Sequence, residues 1–562
     1  MQLFGTDGVR GKVEEKEYSY STALSLYFEN RILTPSLLRA IGEAIAIDLG
    51  SSNNNTKPVV VIGWDNRPSN PALVGALTEG LTLQGCEVHW AGNIATPGLH
   101  YCILESNFCT GLMVTASHNP AHDSGLKIFD EFGFKSYPDR EKTLSQIVEK
   151  LSRDANGKMY DISEEFRKPL IQFNGEEKHQ KALQNRLNLI KKEWGVSLED
   201  AFEYGVVTPN VFIFDSSKGA IHSWLETWLS QNNFNTSEQS TSCSQINSNC
   251  GAGEFSPTDR WTWDDLDTNH TLLKAIKNTF KNVNTLIPGQ ILAAAVDGDA
   301  DRCLLFEALD DLSGIKVVDG DKIADDILQA AISTDPESNW LFASSIESDL
   351  SLVSSLKRLS SKIKSVETAV GDRWLSLALC DTPKPSLISS SKIPNLLGCE
   401  DSGHLVLPIQ HPNNKGKWSL VGDGLMTFLY TILARCVLNK NGKRDNFIPG
   451  WKLRKSVKGV NRSLWDGKND LSTKAQKIVE DWFDTNSNLT NLSNKEIEGS
   501  TSLLLLEGHV EDLPFSLGIR NSGTESKISV SLRLSAGCID KISNDPLELV
   551  NHLCDFLSSQ MS

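Results

Sequence analysis

Short apolar runs alternate with amphipathic stretches along most of the chain, the pattern of an α/β protein. Pro58-Val59-Val60-Val61-Ile62-Gly63 is a β-branched run closed by glycine and predicts a buried strand; residues 71–83 then read as a helix. Cys86-Glu87-Val88-His89-Trp90 predicts a second strand, and Gly111-Leu112-Met113-Val114 a third that delivers the chain to Ser117. A strand leading into a polar turn at a sheet's carboxyl edge is where open α/β sheets keep ligands. The rhythm restarts at Val211-Phe212-Ile213-Phe214-Asp215, with a helix through Trp224 and Trp228 behind it. It restarts again near Leu341-Phe342-Ala343, preceded by a helix over 319–331. These restarts predict three α/β units in succession. The last part differs: 502–507 and 528–533 are strand-like and 546–557 reads as a closing helix, which predicts a smaller α+β domain. Three stretches rich in Ser, Asn and Thr, 51–55, 232–249 and 486–494, interrupt the pattern and read as surface loops or insertions.

Length and charge narrow this picture. A chain of 562 residues is too long for one core, and ordinary domain sizes give roughly three to five domains. A formal net charge of -16 argues against a nucleic-acid partner; an anionic substrate can still bind where Arg and Lys are gathered locally. The 11 cysteines are scattered without CxxC spacing. Cys243 and Cys250 lie close but suit no zinc site, so reduced thiols are expected. Met1-Gln2-Leu3-Phe4-Gly5 carries no basic segment followed by an apolar one, and no run approaches the ~18 apolar residues of a spanning helix. The expectation is a cytoplasmic protein with no membrane partner.

Four polar loops carry the candidate chemistry. Thr115-Ala116-Ser117-His118-Asn119-Pro120 offers Ser117, whose hydroxyl can take a phosphoryl group and return it. His118 and Lys127 are candidates to neutralise charge or move protons. Asp297, Asp299 and Asp301 follow an apolar run, and at a strand end positions i, i+2 and i+4 fall on one side. Three crowded carboxylates need a cation, and oxygen-only ligands point to a hard ion such as Mg²⁺. A calcium-binding EF-hand loop is excluded, because Arg302 stands where it requires Gly and Ala308 where it requires Glu. Arg302 is placed to meet a phosphate. Glu400, Ser402 and His404 form a set able to read sugar hydroxyls, with Gly398 and Gly403 letting the backbone bend. Arg520, Ser522, Gly523 and Thr524 combine a cation, hydroxyls and backbone N–H groups into a phosphate clamp, to which Lys527 can add. Taken singly, the serine, sugar and clamp loops are ordinary polar turns.

Four such loops in this order are far more specific, and the chain resembles the α-D-phosphohexomutase family. The opening Phe4-Gly5-Thr6-Asp7-Gly8-Val9-Arg10-Gly11, which holds Arg10, looks like the family's first segment. The likeness continues through the four loops to Lys527. Asp65-Asn66-Arg67-Pro68-Ser69, Val370-Gly371-Asp372-Arg373 and Gly422-Asp423-Gly424 add smaller matches. The resemblance implies three successive α/β/α three-layer domains with mixed sheets plus a smaller C-terminal α+β domain, around a central cleft. The expected spans are 1–160, 161–310, 311–445 and 446–562, each giving one loop. It also implies a mechanism. Phosphorylated Ser117 passes its phosphoryl group to a bound hexose phosphate, the bisphosphate turns around, and the other phosphate returns to Ser117. One Mg²⁺ per chain would be held by Ser117, Asp297, Asp299 and Asp301; a hexose bisphosphate would act as activator. Lys127 fits the position near the reacting oxygens and His404 is a second candidate for proton work. The opening segment is most similar to bacterial phosphoglucosamine mutases, which implies conversion of glucosamine 6-phosphate to glucosamine 1-phosphate. Asp401, Cys399 and Asn521 depart from the family's usual residues, and an acid at 401 would suit an amino sugar's charge. The competing readings are a phosphomannomutase or phosphoglucomutase, a non-catalytic sugar-phosphate binding protein, and a phosphatase. The expected assembly is a monomer or homodimer.

Overall fold

Among the described residues, four β-sheets follow one another, of seven, six, six and five strands. They are seen in a computed structural model that describes residues 3–5, 8–52, 57–154, 164–208, 211–266, 269–442, 444–521 and 527–562. In the first sheet the β-branched strand Val59–Trp64 lies parallel between Glu87–Asn93 and Thr110–Val114, and Asp123–Asp130 runs antiparallel beside the latter. In the second, Ile291–Val296 is parallel to Phe212–Asp215 and antiparallel to Cys303–Ala308. In the third, Trp340–Ser345 is parallel to Ile363–Thr368 and Leu396–Cys399, and Leu405–His411 turns back antiparallel. The fourth is wholly antiparallel, with Leu513–Asn521 between Leu503–Val510 and Lys527–Leu534. The first three sheets are mixed, as expected, and the last belongs to an α+β unit.

Each candidate loop therefore joins two antiparallel neighbours. Residues 115–122 connect Thr110–Val114 to Asp123–Asp130, and 297–302 connect Ile291–Val296 to Cys303–Ala308. Residues 400–404 connect Leu396–Cys399 to Leu405–His411, and 522–526 connect Leu513–Asn521 to Lys527–Leu534. A strand ending in a short polar turn places that turn at the end of the sheet, where other elements can close over it. Small residues bring the layers close enough to fix the edges: a Cβ on Gly80 would sit 2.1 Å from the Arg39 carbonyl oxygen, and one on Gly320 1.9 Å from that of Glu400.

Several expectations need correction. Residues 232–249 are not a surface loop: Thr236–Glu238 adds a parallel strand to the second sheet, and Ser240, Cys243 and Ile246 are buried. Residues 486–494 contain the edge strand Leu489–Asn494, paired with Leu503–Val510. The helix Pro35–Ser52 runs into 51–55, of which 53–55 lie outside the described residues. The helix expected through Trp224 begins only at Leu225. Ile171–Gln172 still pairs with the first sheet and Gly314–Val318 with the second, beyond the changes of unit expected at 160 and 310. The largest core runs from Leu187 through Phe212 and Phe428 to Phe342, so the second and third sheets share one apolar interior. Among the described residues, no helix is long and apolar enough to cross a membrane.

Candidate functional site

Ser117 sits in the left-handed region, with φ 54°, an uncommon conformation for a serine. Its loop is held by its own carbonyls. Arg67 Nη2 donates to the Ser117 oxygen at 2.7 Å and the Asn119 oxygen at 2.9 Å; Nη1 donates to Pro120 at 2.6 Å and Asp123 at 2.8 Å. Asp65 fixes that guanidinium from behind at 3.1 Å and accepts from the Thr115 hydroxyl at 2.7 Å. From the turn beyond Thr236–Glu238, Asn247 Nδ2 donates to the same two carbonyls, Ser117 at 2.7 Å and Asn119 at 2.9 Å. Arg67 lies in a segment singled out from the sequence. Asn247 was missed, because it lies within the Ser- and Asn-rich stretch read as an insertion and nothing in its neighbours points across to Ser117.

The Ser117 hydroxyl donates to Asp297 Oδ2. Asp297, Asp299 and Asp301 are all buried, each with a carboxylate oxygen within 4.8 Å of the others. Lys127, on the strand beside Thr110–Val114, reaches Asp299 and Asp301 at 2.6 Å each, and Thr96 donates to Asp299. Burial, then the neighbouring Asp301 and Asp299 carboxylates, push Asp297 up to about 7. Burial also opposes ionisation of Asp301, but Lys127 and His404 outweigh it and hold its carboxyl well below the usual range. Among the described residues, Asp299 Oδ1 is buried without a hydrogen-bond partner, and Asp301 Oδ1 has His404 at 3.6 Å and Arg302 at 3.9 Å beside it. Three buried carboxylates clustered beside a hydroxyl are the donor set of a hard divalent cation. The triad is a candidate metal centre.

A cleft of about 410 Å³ opens in front of these groups, lined from all four sheets by residues that include Arg10, His118, Arg302, Glu400, His404 and Arg520. Arg10 Nη1 donates to the Ala116 oxygen at 3.4 Å. Arg302 Nε lies 3.9 Å from Asp301 and 4.0 Å from Asp297. His404 is buried against Asp372, at 2.9 Å, and Asp301, at 3.6 Å; burial opposes its charge, but Asp301 and Asp372 prevail and raise it to about 10. His404 is therefore an imidazolium at neutral pH. His118 is the opposite case: burial, then Arg302 and Arg10, hold it well below its ordinary value, so it is neutral and carries no charge to offset a phosphate. Lys135, which no motif pointed out, joins the lining between Asp301 and Asp372.

Glu400 and Ser402 face the cleft, with Glu400 accepting from the Gly371 N–H at 2.7 Å. Asp401 does not share that lining. It turns to Lys452, 3.2 Å away, which also meets Asp321 at 2.9 Å and Asp319 at 3.0 Å. Its charge is committed there, which corrects the expectation that it would meet an amino sugar. Arg520 and Lys527 reach the cleft from the fourth sheet, whereas Ser522, Gly523 and Thr524 lie outside the described residues. Arg454 and Glu347, also missed, stand beside Arg520.

Asn247 gives a first test. Asn247→Ala removes both of its donors to the serine loop while touching no lining group of the cleft. The expected result is a kcat about ten- to a hundredfold lower with KM little changed, because the reacting hydroxyl is displaced but the substrate site is not. Steady-state kinetics decides it, and an unchanged kcat removes Asn247 from the loop's support.

Residues 1–155 match the family described as phosphoglucomutase/phosphomannomutase, alpha/beta/alpha domain I. Over 557 residues, 98% of each chain, the protein is 26% identical to the phosphoglucosamine mutase of Clostridium kluyveri. It is 25% identical over 535 residues to that of Wolinella succinogenes, covering 95% of this chain and 94% of the other. Among solved structures, the open form of the Paramecium phosphoglucomutase pp63/parafusin aligns with a TM-score of 0.62 at 16% identity, over 99% of this chain and 95% of that one.

Proposed function

We infer the function from the premise that this chain belongs to the α-D-phosphohexomutase family: it is a sugar-phosphate mutase, an isomerase that relocates a phosphoryl group on one hexose. The carrying observation is the Ser117 hydroxyl, fixed on Asp297 behind a cleft to which all four sheets contribute. We read four domains of one chain around that cleft, so the site is complete in a single copy.

Ser117, when phosphorylated, donates its phosphoryl group to a hydroxyl of a bound hexose monophosphate: the new P–O bond forms to the sugar as the bond to Ser117 Oγ breaks. The hydroxyl's proton leaves toward the neutral His118, while Lys127, imidazolium His404, Arg10 and Arg302 supply the positive charge. The bisphosphate reorients, and the opposite phosphoryl group returns to Ser117. Glu400 and Ser402 read sugar hydroxyls, and the Arg520 side, with Lys527 and the loop 522–524, holds the phosphate that does not react. Asp297, Asp299, Asp301 and Ser117 would hold one divalent cation, proposed as Mg²⁺, whose contribution when bound is charge neutralisation at the transferring group. A hexose bisphosphate would load Ser117 at the start.

The substrate we propose is glucosamine 6-phosphate, giving glucosamine 1-phosphate, because the relatives aligned over nearly the whole chain are phosphoglucosamine mutases. A cytoplasmic location follows from that charged substrate. Purified protein with Mg²⁺, a trace of hexose bisphosphate and the 6-phosphates of glucosamine, mannose and glucose in turn, followed by phosphorus NMR, tests this. The 1-phosphate is expected fastest from glucosamine 6-phosphate. Faster turnover of mannose or glucose 6-phosphate would replace the substrate, and release of inorganic phosphate would replace the mutase by a phosphatase. Arg520→Ala is expected to raise KM by roughly ten- to a hundredfold, the loss of hydrogen bonds to a charged group of about 1.5–3 kcal/mol. An unchanged KM would count against the clamp.

A further inference from the structure

Glu347 follows the strand Trp340–Ser345 of the third sheet and extends into the cleft, where its carboxylate bridges two guanidiniums of the fourth sheet. Oε1 accepts from Arg520 Nη2 at 3.1 Å, and Oε2 pairs with Arg454 Nη1. One oxygen thus goes to each arginine, the arrangement a phosphate with two free oxygens would adopt. Burial opposes the ionisation of Glu347, but Arg454 and Arg520 prevail and keep its carboxyl at about 2, so the anion is always present near neutral pH.

The surface beneath is continuous. Ser529 stands opposite both Arg520 and Ser456 in the sheet, with the two serine hydroxyls 2.9 Å apart. Arg454 precedes Ser456 by two positions and Lys527 precedes Ser529 by two, so alternation puts all five on one face. All five line the cleft. Other ion pairs that join the third and fourth sheets differ. Lys452 with Asp319 and Asp321, and Arg533 with Glu367, do not line it. Glu347 alone among these carboxylates occupies the place where a substrate phosphate would be received.

We propose that Arg454 is a second phosphate-binding arginine of the clamp and that Glu347 is its exchangeable internal anion, holding both guanidiniums in position until a phosphate displaces it and taking them back when the phosphate leaves. This rests on the mutase reading and adds to it a reason for the carboxylate. A mutase must release one phosphate from the clamp and receive the other within each cycle. An anion that competes for the same guanidiniums weakens the clamp's hold on either phosphate and so speeds the exchange. The bridging position also keeps two long side chains ordered, so less entropy is lost when phosphate binds.

The test is Glu347→Gln beside Arg454→Ala, read by calorimetric binding of glucose 1,6-bisphosphate and by steady-state kinetics. Glu347→Gln is expected to bind the bisphosphate about three- to tenfold more tightly, the worth of one or two partly exposed pairs, and to lower KM and kcat together. Arg454→Ala is expected to weaken binding by about tenfold, as Arg520→Ala does. Weaker or unchanged binding in a folded Glu347→Gln protein, with its unfolding midpoint as the control, would make Glu347 a strap between domains and overturn the proposal. So would unchanged binding in Arg454→Ala. The binding arm needs no turnover, so a protein that obeys it yet isomerises no sugar phosphate refutes the mutase reading and leaves the clamp standing.

Discussion

Ser117→Ala is expected to abolish turnover, by a factor on the order of 10⁴ or more, in a protein that remains folded. The chemical part follows from the absence of any oxygen to carry the phosphoryl group between two positions of the sugar. The structural part follows from how the loop is held. Arg67 and Asn247 grip the carbonyls of Ser117 and Asn119, which alanine keeps, and the Ser117 N–H still donates to the Thr115 hydroxyl at 2.9 Å. The side chain's hydroxyl donates to Asp297. Alanine suffers much the same left-handed strain as serine at φ 54°, so the cost in stability should stay near the ordinary ~1 kcal/mol of a point mutation. Thermal unfolding and turnover measured on the same preparation separate the two effects. Incubation with labelled hexose bisphosphate should mark the wild type and leave the variant unmarked. Wild-type activity in Ser117→Ala would sink the phosphoserine mechanism outright.

The serine and aspartate loops were readable because each one follows a strand whose own signal is strong. Val59–Trp64, Thr110–Val114 and Ile291–Val296 are nearly continuous apolar runs, so the polar residues after them had to lie at a sheet edge. Their partners were harder to read. Asn247 and Ser117 are 130 positions apart, and a hydrogen bond between two loops leaves no local periodicity. The edge strand Leu489–Asn494 was hidden for another reason: with polar residues on both faces it has no apolar alternation to report it. Asp401 shows the limit of reasoning from residue type. Its acidity is plain in the sequence, but only the placement of Lys452, brought in by a strand of the fourth sheet, shows that its charge is spent away from the cleft. The unit boundaries at 160 and 310 were drawn at pauses in the pattern, whereas the sheets continue by adding short strands across them.

Removal of divalent cations is expected to lower turnover by about 10³-fold or more, and Asp301→Asn to abolish the response to adding them back. Three buried carboxylates with oxygens within 4.8 Å repel one another, and Lys127 pairs directly with Asp299 and Asp301. Asp297 shows the remaining strain, with a carboxyl raised to about 7 by burial and by those same neighbours. A dication held by the triad would relieve this repulsion and offset the buried negative charge, of which Asp299 Oδ1 lacks a hydrogen bond. Binding should therefore stabilise the fold as well as permit catalysis, and the two can be read apart. Protein stripped with EDTA should unfold at a lower temperature than the same protein with Mg²⁺. Asp301→Asn keeps the size of the side chain but removes one charge and one ligand, so its unfolding midpoint should respond to Mg²⁺ only at concentrations about a hundredfold higher. Loss of activity alone would not distinguish this from a damaged cleft, since Asp301 also holds His404 at 3.6 Å; the shifted midpoint titration does. If the stripped wild type keeps its rate, or its midpoint ignores Mg²⁺ while Asp301→Asn behaves the same, the triad is a structural acid cluster held by Lys127 and the cation has no part in the reaction.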